Sequence, residues 1–319
     1  MLQKLSKINY QQLAADIKHW GTELGFANVG ITDTNLSQHE QHLSSWLAKN
    51  NHSTMDYMEQ NKEKRLHPEK LLPGTKTVIC VSLNYQQIPE IKSIAGNNCV
   101  SLYARRRDYH KIIRKKLQKL ANKIEQAIGE FSYRAFCDSA PVLEKALAEK
   151  AGVGWIGKNT CLVNKDHGSL FFLGELFTDL PLPIDTPAKN HCGNCKKCIE
   201  SCPTGALADS LNANHCISYL TIESKKEISE ELKTLIGTQI FGCDKCQLIC
   251  PWNNTAKQPE HLSQTDKMTR ENLLKLSHWS KEEFLENTRG TPIGRIDYER
   301  WSRNIAVALE NIALKLEES

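Results

Sequence analysis

The chain has 319 residues, with 41 Lys and Arg against 37 Asp and Glu and a formal net charge of +4 at pH 7. This length leaves room for two or three domains with cores of their own. There is no apolar run of about 18 residues, which argues against a helical membrane span, and Met1-Leu-Gln-Lys-Leu-Ser lacks the apolar stretch of a secretion signal, so the cytoplasm is the expected compartment.

A first helix is expected over roughly Tyr10 to Leu24, with Leu13, Ile17, Trp20 and Leu24 on one face and Gly25 as its stop. Ala27 to Thr32 reads as a short strand, and residues 35–50 as a second helix built on Leu36, Leu43, Trp46 and Leu47. A turn-rich stretch from His67-Pro68 to Pro73-Gly74 leads into Lys76-Thr-Val-Ile-Cys-Val-Ser-Leu83. That nearly continuous apolar run predicts a strand in the middle of a sheet. A basic helix is predicted from Tyr109 to Ile128, with Ile113, Leu117, Leu120, Ile124 and Ala127 facing a core and Lys111, Lys115, Lys119 and Lys123 on the opposite stripe. With Arg105, Arg106, Arg107, Arg114 and Lys116 the basic groups crowd residues 105–123 against a single acid, Asp108. Such a field attracts a polyanion; the alternative is the ordinary solvated face of an amphipathic helix.

Phe131 to Phe136 predicts another strand, followed by the loop Cys137-Asp138-Ser139-Ala140-Pro141 and a helix from Pro141 to about Lys150. Ala151-Gly-Val-Gly-Trp-Ile-Gly-Lys-Asn159 is glycine-rich. Leu162-Val163 and Ser169 to Leu173 predict a strand pair around the Asp166-His-Gly turn. Leu180-Pro-Leu-Pro-Ile-Asp-Thr-Pro187 marks a boundary. The expectation is thus an α/β domain with a central sheet over residues 1–187, a cysteine-rich domain over 188–256 and a short C-terminal helical segment over 257–319. Within the last, 257–290 is polar with few signals, and Tyr298 to Leu316 is a closing helix on Trp301, Ile305, Leu309, Ile312 and Leu316.

Eight of the 12 cysteines fall in two groups, Cys192-Gly-Asn-Cys195-Lys-Lys-Cys198-Ile-Glu-Ser-Cys202-Pro203 and Cys243-Asp-Lys-Cys246-Gln-Leu-Ile-Cys250-Pro251 with Cys216 upstream. Cys-x2-Cys-x2-Cys-x3-Cys-Pro is the bacterial two-cluster ferredoxin run, whose fourth cysteine ligates the other cluster. Zinc and disulfides are the alternatives, but zinc would need neither the third cysteine nor a Cys-Pro closing both runs. By the crossed rule, Cys192, Cys195, Cys198 and Cys250 hold one [4Fe–4S] cluster and Cys202, Cys216, Cys243 and Cys246 the other. The long gap from Cys216 to Cys243 departs from the compact spacing. Cys80, Cys99, Cys137 and Cys161 are expected to pack as small hydrophobes.

Asp138 stands between a strand and a helix, where α/β proteins place ligands. It is also placed, like Ser139, to cap that helix. Beside a low-polarity cofactor its pKa would rise and fit it for general acid work. Gly152, Gly154 and Gly157 permit close backbone approach to a ligand. The literal G-x-G-x-x-G follows a helix instead of a strand, so it is not a dinucleotide fingerprint. Lys158 and Asn159 add a cation and an amide suited to a large polar cofactor, a plain turn being the other reading, and Trp155 reads as core or pocket wall.

These stretches resemble the epoxyqueuosine reductase family, the cobalamin-dependent iron–sulfur enzymes of queuosine tRNA modification. The matching stretches are Tyr103-Ala-Arg-Arg-Arg-Asp-Tyr-His110, Asp138-Ser-Ala-Pro-Val-Leu-Glu144, Gly152-Val-Gly-Trp-Ile-Gly-Lys-Asn-Thr160 and Gly168-Ser-Leu-Phe-Phe-Leu-Gly-Glu175. Both cysteine runs, through Pro203-Thr-Gly-Ala-Leu207 and Trp252-Asn253, and Trp301-Ser-Arg-Asn-Ile-Ala-Val-Ala-Leu309 complete it. Two departures stand out: Arg106 occupies a position where the family usually has a small residue, and longer members continue into HEAT-like helical repeats.

The resemblance implies that the first domain binds cobalamin and that the second is a ferredoxin-like two-[4Fe–4S] domain. The substrate would be tRNA carrying epoxyqueuosine at the wobble position, reduced to queuosine with loss of the epoxide oxygen as water. Asp138 would be the general acid. Tyr103, His110, Ser139, Trp155, Gly157, Lys158 and Asn159 would contact the cofactor. Asp108-Tyr-His110 begins a D-x-H-x-x-G motif that fails at Ile113, so the cobalamin would be base-off, without a histidine from that motif. An external low-potential donor would supply electrons, the basic stripe would hold tRNA phosphates, and the enzyme would act as a monomer. Two rival readings share part of this pattern. A reductive dehalogenase would use the same cofactors without a polyanion surface, and a ferredoxin-type carrier would leave Asp138 and the glycines idle.

Overall fold

The computed structural model describes residues 8–85, 99–254 and 270–317. Its first half is a sheet covered on both faces. The elements are α1 (Tyr10–Glu23), β1 (Asn28–Asp33), α2 (Ser37–Ala48), β2 (Thr77–Asn84), α3 (Tyr109–Ile128), β3 (Tyr133–Phe136), α4 (Glu144–Lys150), β4 (Trp155–Ile156), β5 (Leu162–Val163) and β6 (Phe171–Thr178). The main sheet runs β1-β2-β6-β3, and each neighbouring pair is antiparallel. β2 is central, as its apolar run predicts. Its alternate side chains feed two cores: Ile79 and Val81 pack with Ile17, Ile113 and Leu117 of α1 and α3, while Val78 and Cys80 pack with Phe136, Leu147 and Phe177. Two covered faces therefore explain the unbroken hydrophobicity.

Three expectations change in detail. The helix expected from Pro141 starts at Glu144. Ala127 is exposed, and His110 and Ala121 take places in the buried face of α3 instead. The strands flanking the Asp166-His-Gly turn go to different sheets: β5 pairs with β4, whereas β6 joins the main sheet, and a single bridge links Asn164 to Gly168. Asn164 causes the split. Its side-chain oxygen accepts from the Asp166 and His167 amides at 2.8 and 3.0 Å, and its amide donates to the Val153 carbonyl at 2.6 Å, so the turn is tied to the glycine loop.

Beyond the proline-rich boundary come the short helices α5 (Lys197–Glu200), α6 (Ile217–Ile222) and α7 (Lys245–Leu248). Cys198 lies on α5, Cys246 on α7 and Cys216 at the N-cap of α6, the other cysteines of the two groups lying in the loops around them, and the chain closes with α8 (Tyr298–Glu317). Within the polar stretch, residues 257–269 lie outside the described residues; Leu273–Ser277 and Lys281–Thr288 are helical. Phe284, Trp301 and Ile305 share one core with Cys99, Val100, Ala104, Ile240 and Phe241. The segment before α3 thus packs with the closing helix. Asn304 fastens that helix by donating to the Thr221 and Ile240 carbonyls at 2.8 and 2.9 Å.

Candidate active site

The site is built where α3 begins and β3 ends. α3 lies close on β6 because Gly174 has no side chain; a Cβ there would come within 2.5 Å of Ile113 Cγ2. This close approach carries the first residues of α3 to the end of β3. Asp108 caps the helix by accepting from the His110 amide at 3.1 Å. Tyr109 lies flat between Phe172 and His110, with ring centroids 3.9 and 4.1 Å away.

Asp138 follows directly. It has φ +59°, in the left-handed region, a conformation costing a non-glycine residue about 1 kcal/mol or more. It does not cap α4, whose N-cap is Leu143 with no side-chain hydrogen bond. Its backbone N–H instead donates to the Glu144 carboxylate. Its Oδ2 accepts from the Tyr109 hydroxyl at 2.8 Å and pairs with His110 Nε2 at 2.9 Å. The other ring nitrogen of His110, Nδ1, pairs with Asp108 Oδ1 at 2.5 Å. The His110 side chain is 1% exposed and that of Asp138 53%. A buried imidazole therefore links an inner carboxylate to one that faces open space.

Burial works against ionisation of Asp138, but the hydrogen bonds from His110 and Tyr109, with the charges of His110 and Arg295, outweigh it and hold the carboxyl below its ordinary range. This differs from the raised pKa expected beside an apolar cofactor. Asp108 is likewise lowered, its burial being overcome by His110. The Tyr109 and Tyr103 phenols move the other way, held up by burial and then by the charge of Asp138.

Asp138, Tyr103 and Tyr109 form the wall between two cavities. The larger, about 870 Å³, extends past His110, Tyr57 and Tyr219 to Cys216 and is rimmed by Lys225, Lys226, Arg295 and Arg300. The smaller, about 310 Å³, reaches Thr160, Cys161, Ser169 and Gln247. The larger lies near the top of the ~300–1,000 Å³ range of ligand pockets.

The cysteines gather in two sets. Cys192, Cys195, Cys198 and Cys250 line a common cavity of about 240 Å³ with Lys158, Asn159, His191 and Trp252. The Cys216 thiol feels Cys202, the Cys243 thiol feels Cys216, and Cys246 lies against Cys161, Cys243 and Cys216. The fourth residue of each run thus sits with the other run.

The residues expected around one cofactor are divided. Tyr103 and His110 border the large cavity. Trp155 is 2% exposed and donates from Nε1 to Cys192 Sγ at 3.4 Å. Lys158 donates to the carbonyls of Gly193 and Cys195 at 2.7 and 3.0 Å, and Asn159 to that of Cys246 at 3.4 Å. At Gly157 a Cβ would crowd Asn159 Oδ1 at 2.8 Å, so this glycine keeps the loop tight. The hydroxyl of exposed Ser139 turns back to the Cys137 carbonyl at 3.4 Å. The arginine triplet is divided too: Arg105 is buried and Arg107 exposed, and Lys116 and Lys123 bond to Leu24 and Glu23 of the first helical segment. Arg107, Lys111, Arg114, Lys115 and Lys119 remain as the exposed stripe.

Sequence reasoning missed several groups. Buried Asp244, between Cys243 and Cys246, accepts from the Leu102 amide at 2.7 Å and from the Ser101 hydroxyl, fixing the approach to Tyr103. An acid inside a cysteine run was the available signal. Nothing local marks Arg295 and Arg300, which reach the cavity from the turn over Pro292–Arg295 and from the start of α8.

A sheet domain whose catalytic-looking carboxylate opens onto a cavity walled by a two-cluster cysteine domain defines an iron–sulfur oxidoreductase. Comparison with known proteins makes this specific. The family model described as epoxyqueuosine reductase QueG, DUF1730, matches residues 65–139, and that of a 4Fe-4S double cluster binding domain matches 191–253. The epoxyqueuosine reductase of Pseudomonas aeruginosa is 49% identical over 322 residues, covering 96% of this chain and 88% of its own. Among solved structures, epoxyqueuosine reductase from Bacillus subtilis, with its catalytic aspartate loop swung out of the active site, superposes with TM-score 0.84 at 27% identity, over 97% of this chain and 85% of its own. An epoxyqueuosine reductase with a tRNA-Tyr epoxyqueuosine-modified stem loop gives 0.82 at 26%, over 95% and 82%. The chain belongs to the epoxyqueuosine reductase family and is an oxidoreductase.

Tyr109→Phe keeps the stack on Phe172 but removes one donor to Asp138. The Asp138 carboxyl should then titrate at higher pH. Because its folded pKa lies below the unfolded value, it adds stability above the unfolded pKa that is lost as pH falls through the folded one. The variant should therefore lose part of that acid-side dependence, measurable as a flatter denaturation midpoint against pH. An unchanged profile would show that the phenol does not hold this carboxylate.

Proposed function

We propose that the chain reduces epoxyqueuosine at the wobble position of tRNA with Asp138 as the proton donor. Two electrons and two protons convert the epoxide to the alkene of queuosine and one water. The observation that carries the reading is Asp138 itself, half-exposed where two cavities meet and joined through His110 to Asp108. An alkoxide leaves poorly without a proton, and Asp138 is the acid aimed into the open space, with His110 behind it to replace what it gives up.

Cobalamin, when bound, supplies the two-electron centre between one-electron clusters and the substrate. The cavities fit such a group: they are large, walled by Tyr57, Tyr103, Tyr109 and Tyr219, and continuous with Cys216. His110 has both ring nitrogens engaged, which supports a base-off cofactor without a histidine ligand. Cys192, Cys195, Cys198 and Cys250 would hold one [4Fe–4S] cluster and Cys202, Cys216, Cys243 and Cys246 the second, nearer the cavity. In this reading Trp155, Lys158 and Asn159 support the first cluster and its loop. Gly157 shapes that loop, and Ser139 lies in the Asp138 turn.

Lys225, Lys226 and Arg295 around the mouth, with the stripe on α3, would hold phosphates without reading sequence, and the modified base would swing out to reach Asp138. A swung-out loop in the Bacillus subtilis relative supports a second position for the Asp138 turn. No helix among the described residues is long and apolar enough to cross a membrane; we place the enzyme in the cytoplasm, as a monomer fed by an external low-potential donor. Residues 1–187 would form the cobalamin domain, 188–256 the cluster domain and 257–319 the helical segment that closes the chain.

Asp138→Asn keeps the shape but cannot donate the proton. Anaerobic turnover of epoxyqueuosine tRNA should fall about 10²- to 10⁴-fold with corrinoid and iron content intact. Near-normal turnover in the loaded variant would remove Asp138 from the mechanism. Replacing Cys202 by Ala should erase the spectrum of the cluster held by Cys216, Cys243 and Cys246; loss confined to the Cys192 cluster would reverse the crossed assignment. Charge reversal at Lys225, Lys226 and Arg295 should weaken binding to all tRNAs alike and flatten its salt dependence, by roughly 0.7–0.9 of a log–log slope unit for each phosphate no longer neutralised. Unaltered affinity would move the tRNA surface elsewhere.

A further inference from the structure

Behind Asp138 lies a pair of carboxyls that the reaction above does not use. Glu144 opens α4. Glu175 stands on β6, in register with Cys80 of β2 and Phe136 of β3. Glu175 is 0% exposed, and neither of its oxygens has an N–H or hydroxyl donor. What faces it is the carboxyl of Glu144. Glu144 is half-buried at the edge of the smaller cavity, and two carboxylates in contact disfavour double ionisation, so the pair is suited to share one proton. The other titratable groups turned toward the pair are Asp138 and His110, Cys80 of β2, Cys137 at the end of β3 and Arg65 of the helix over residues 62–66. Glu144 also accepts from the Asp138 backbone N–H, the peptide of the left-handed residue that starts the turn.

We propose that Glu144, backed by Glu175, is a positioning residue: its carboxyl oxygen holds the Asp138 N–H, and so the turn that aims the Asp138 side chain into the cavity, while a proton shared between the two lets Glu175 stay buried beside it. The inference rests on the reading of Asp138 as the reacting acid. Burial, then the charge of Asp138, raises Glu144 to about 7, and burial with the charge of Glu144 puts Glu175 well above the carboxylate range. Groups raised in this way bind a proton in the folded chain that the unfolded chain has lost. Their stabilising share is complete below the ordinary carboxylate pKa and is lost as pH rises, for Glu144 through about 7 and for Glu175 higher still, the opposite slope to Asp138.

The test uses the loaded holoenzyme and two readouts. In Glu144→Ala, amide exchange across the turn from Cys137 to Leu143 should quicken about two- to tenfold, the effect of one lost hydrogen bond. Turnover number should fall by a similar factor with KM for tRNA unchanged. Glu144→Gln retains the acceptor oxygen and should restore both. Wild-type exchange in the alanine variant, or a glutamine variant as impaired as the alanine one, would overturn the proposal. Glu175→Gln should make the loss of stability between about pH 5 and 8 shallower, since Glu144 stays raised by burial and Asp138; an unchanged slope would overturn the shared proton, and this variant and Glu144→Gln decide the matter if the alanine variant does not fold. Exchange is read without turnover, so the positioning role can fail while Asp138→Asn still abolishes catalysis, and the reverse.

Discussion

The pairing of β6 with β2 along its length, and with β3 at its end, is the constraint from which the site follows. Thr178 to Phe171 on β6 run opposite Thr77 to Asn84 on β2, and Tyr133 to Phe136 occupy the other edge only as far as Glu175. β3 therefore ends beside a buried glutamate, and the chain must turn there. The turn is Cys137-Asp138, with the thiol tied to the Leu173 carbonyl at 3.4 Å. Gly174, one residue away, admits α3 to the opposite face. A one-residue slip in this register would exchange the two faces of β6. It would move Glu175 into the α1–α3 core and leave Asp138 without its supports.

The second constraint is that the cysteine region is docked onto the sheet domain by the loops that shape the site. Trp155 bonds to a cysteine sulfur, Lys158 and Asn159 bond to carbonyls of the cysteine loops, and Asn253 accepts from the Ser169 amide at 2.6 Å. Asp244 binds back to the segment carrying Tyr103. Each contact puts a backbone or side-chain dipole beside a thiolate-rich loop, where hydrogen bonds govern the potential and orientation of a cluster. The same contacts keep the second cysteine set at the rim of the large cavity. Cys216 and Asp138 thereby line one space.

Much of this is legible in the residues because the features are local. The cysteine spacing, the apolar run of β2 and the amphipathic helices each declare themselves within a short window. Asp138 is legible as a position of interest, but its alternatives are not separable there, since the helix start that excludes a cap depends on where α4 packs. The glycine stretch reads as a cofactor loop, and its bonds to the cysteine region are not legible there, since the partner of Trp155 is Cys192, distant in sequence. Glu144 and Glu175 lie in stretches that carry the family resemblance, but their contact requires the β6 register. The arginine triplet looks like a surface because charge is usually exposed, while Arg105 is buried and its charge partly offsets the burial that raises the Asp244 carboxyl.

On the proposal that Asp138 gives the proton, its depressed pKa in the open site is an asset. Burial is already the largest influence on this carboxyl, and it is offset by His110 and Tyr109 donating to a single oxygen, Oδ2. A base entering the cavity removes water from the exposed half of the side chain and strengthens the burial effect, while the His110 and Tyr109 contacts stay as they are. The balance then moves toward the protonated acid, and the nearest proton is the one between Nε2 and Oδ2. Asp108 keeps the imidazole oriented throughout the transfer. An acid held as a carboxylate by His110 and Tyr109 becomes competent only when substrate excludes solvent. That sequence needs the carboxylate held in place while the base is bound, which a strained turn held from behind provides once the turn is in its inward position.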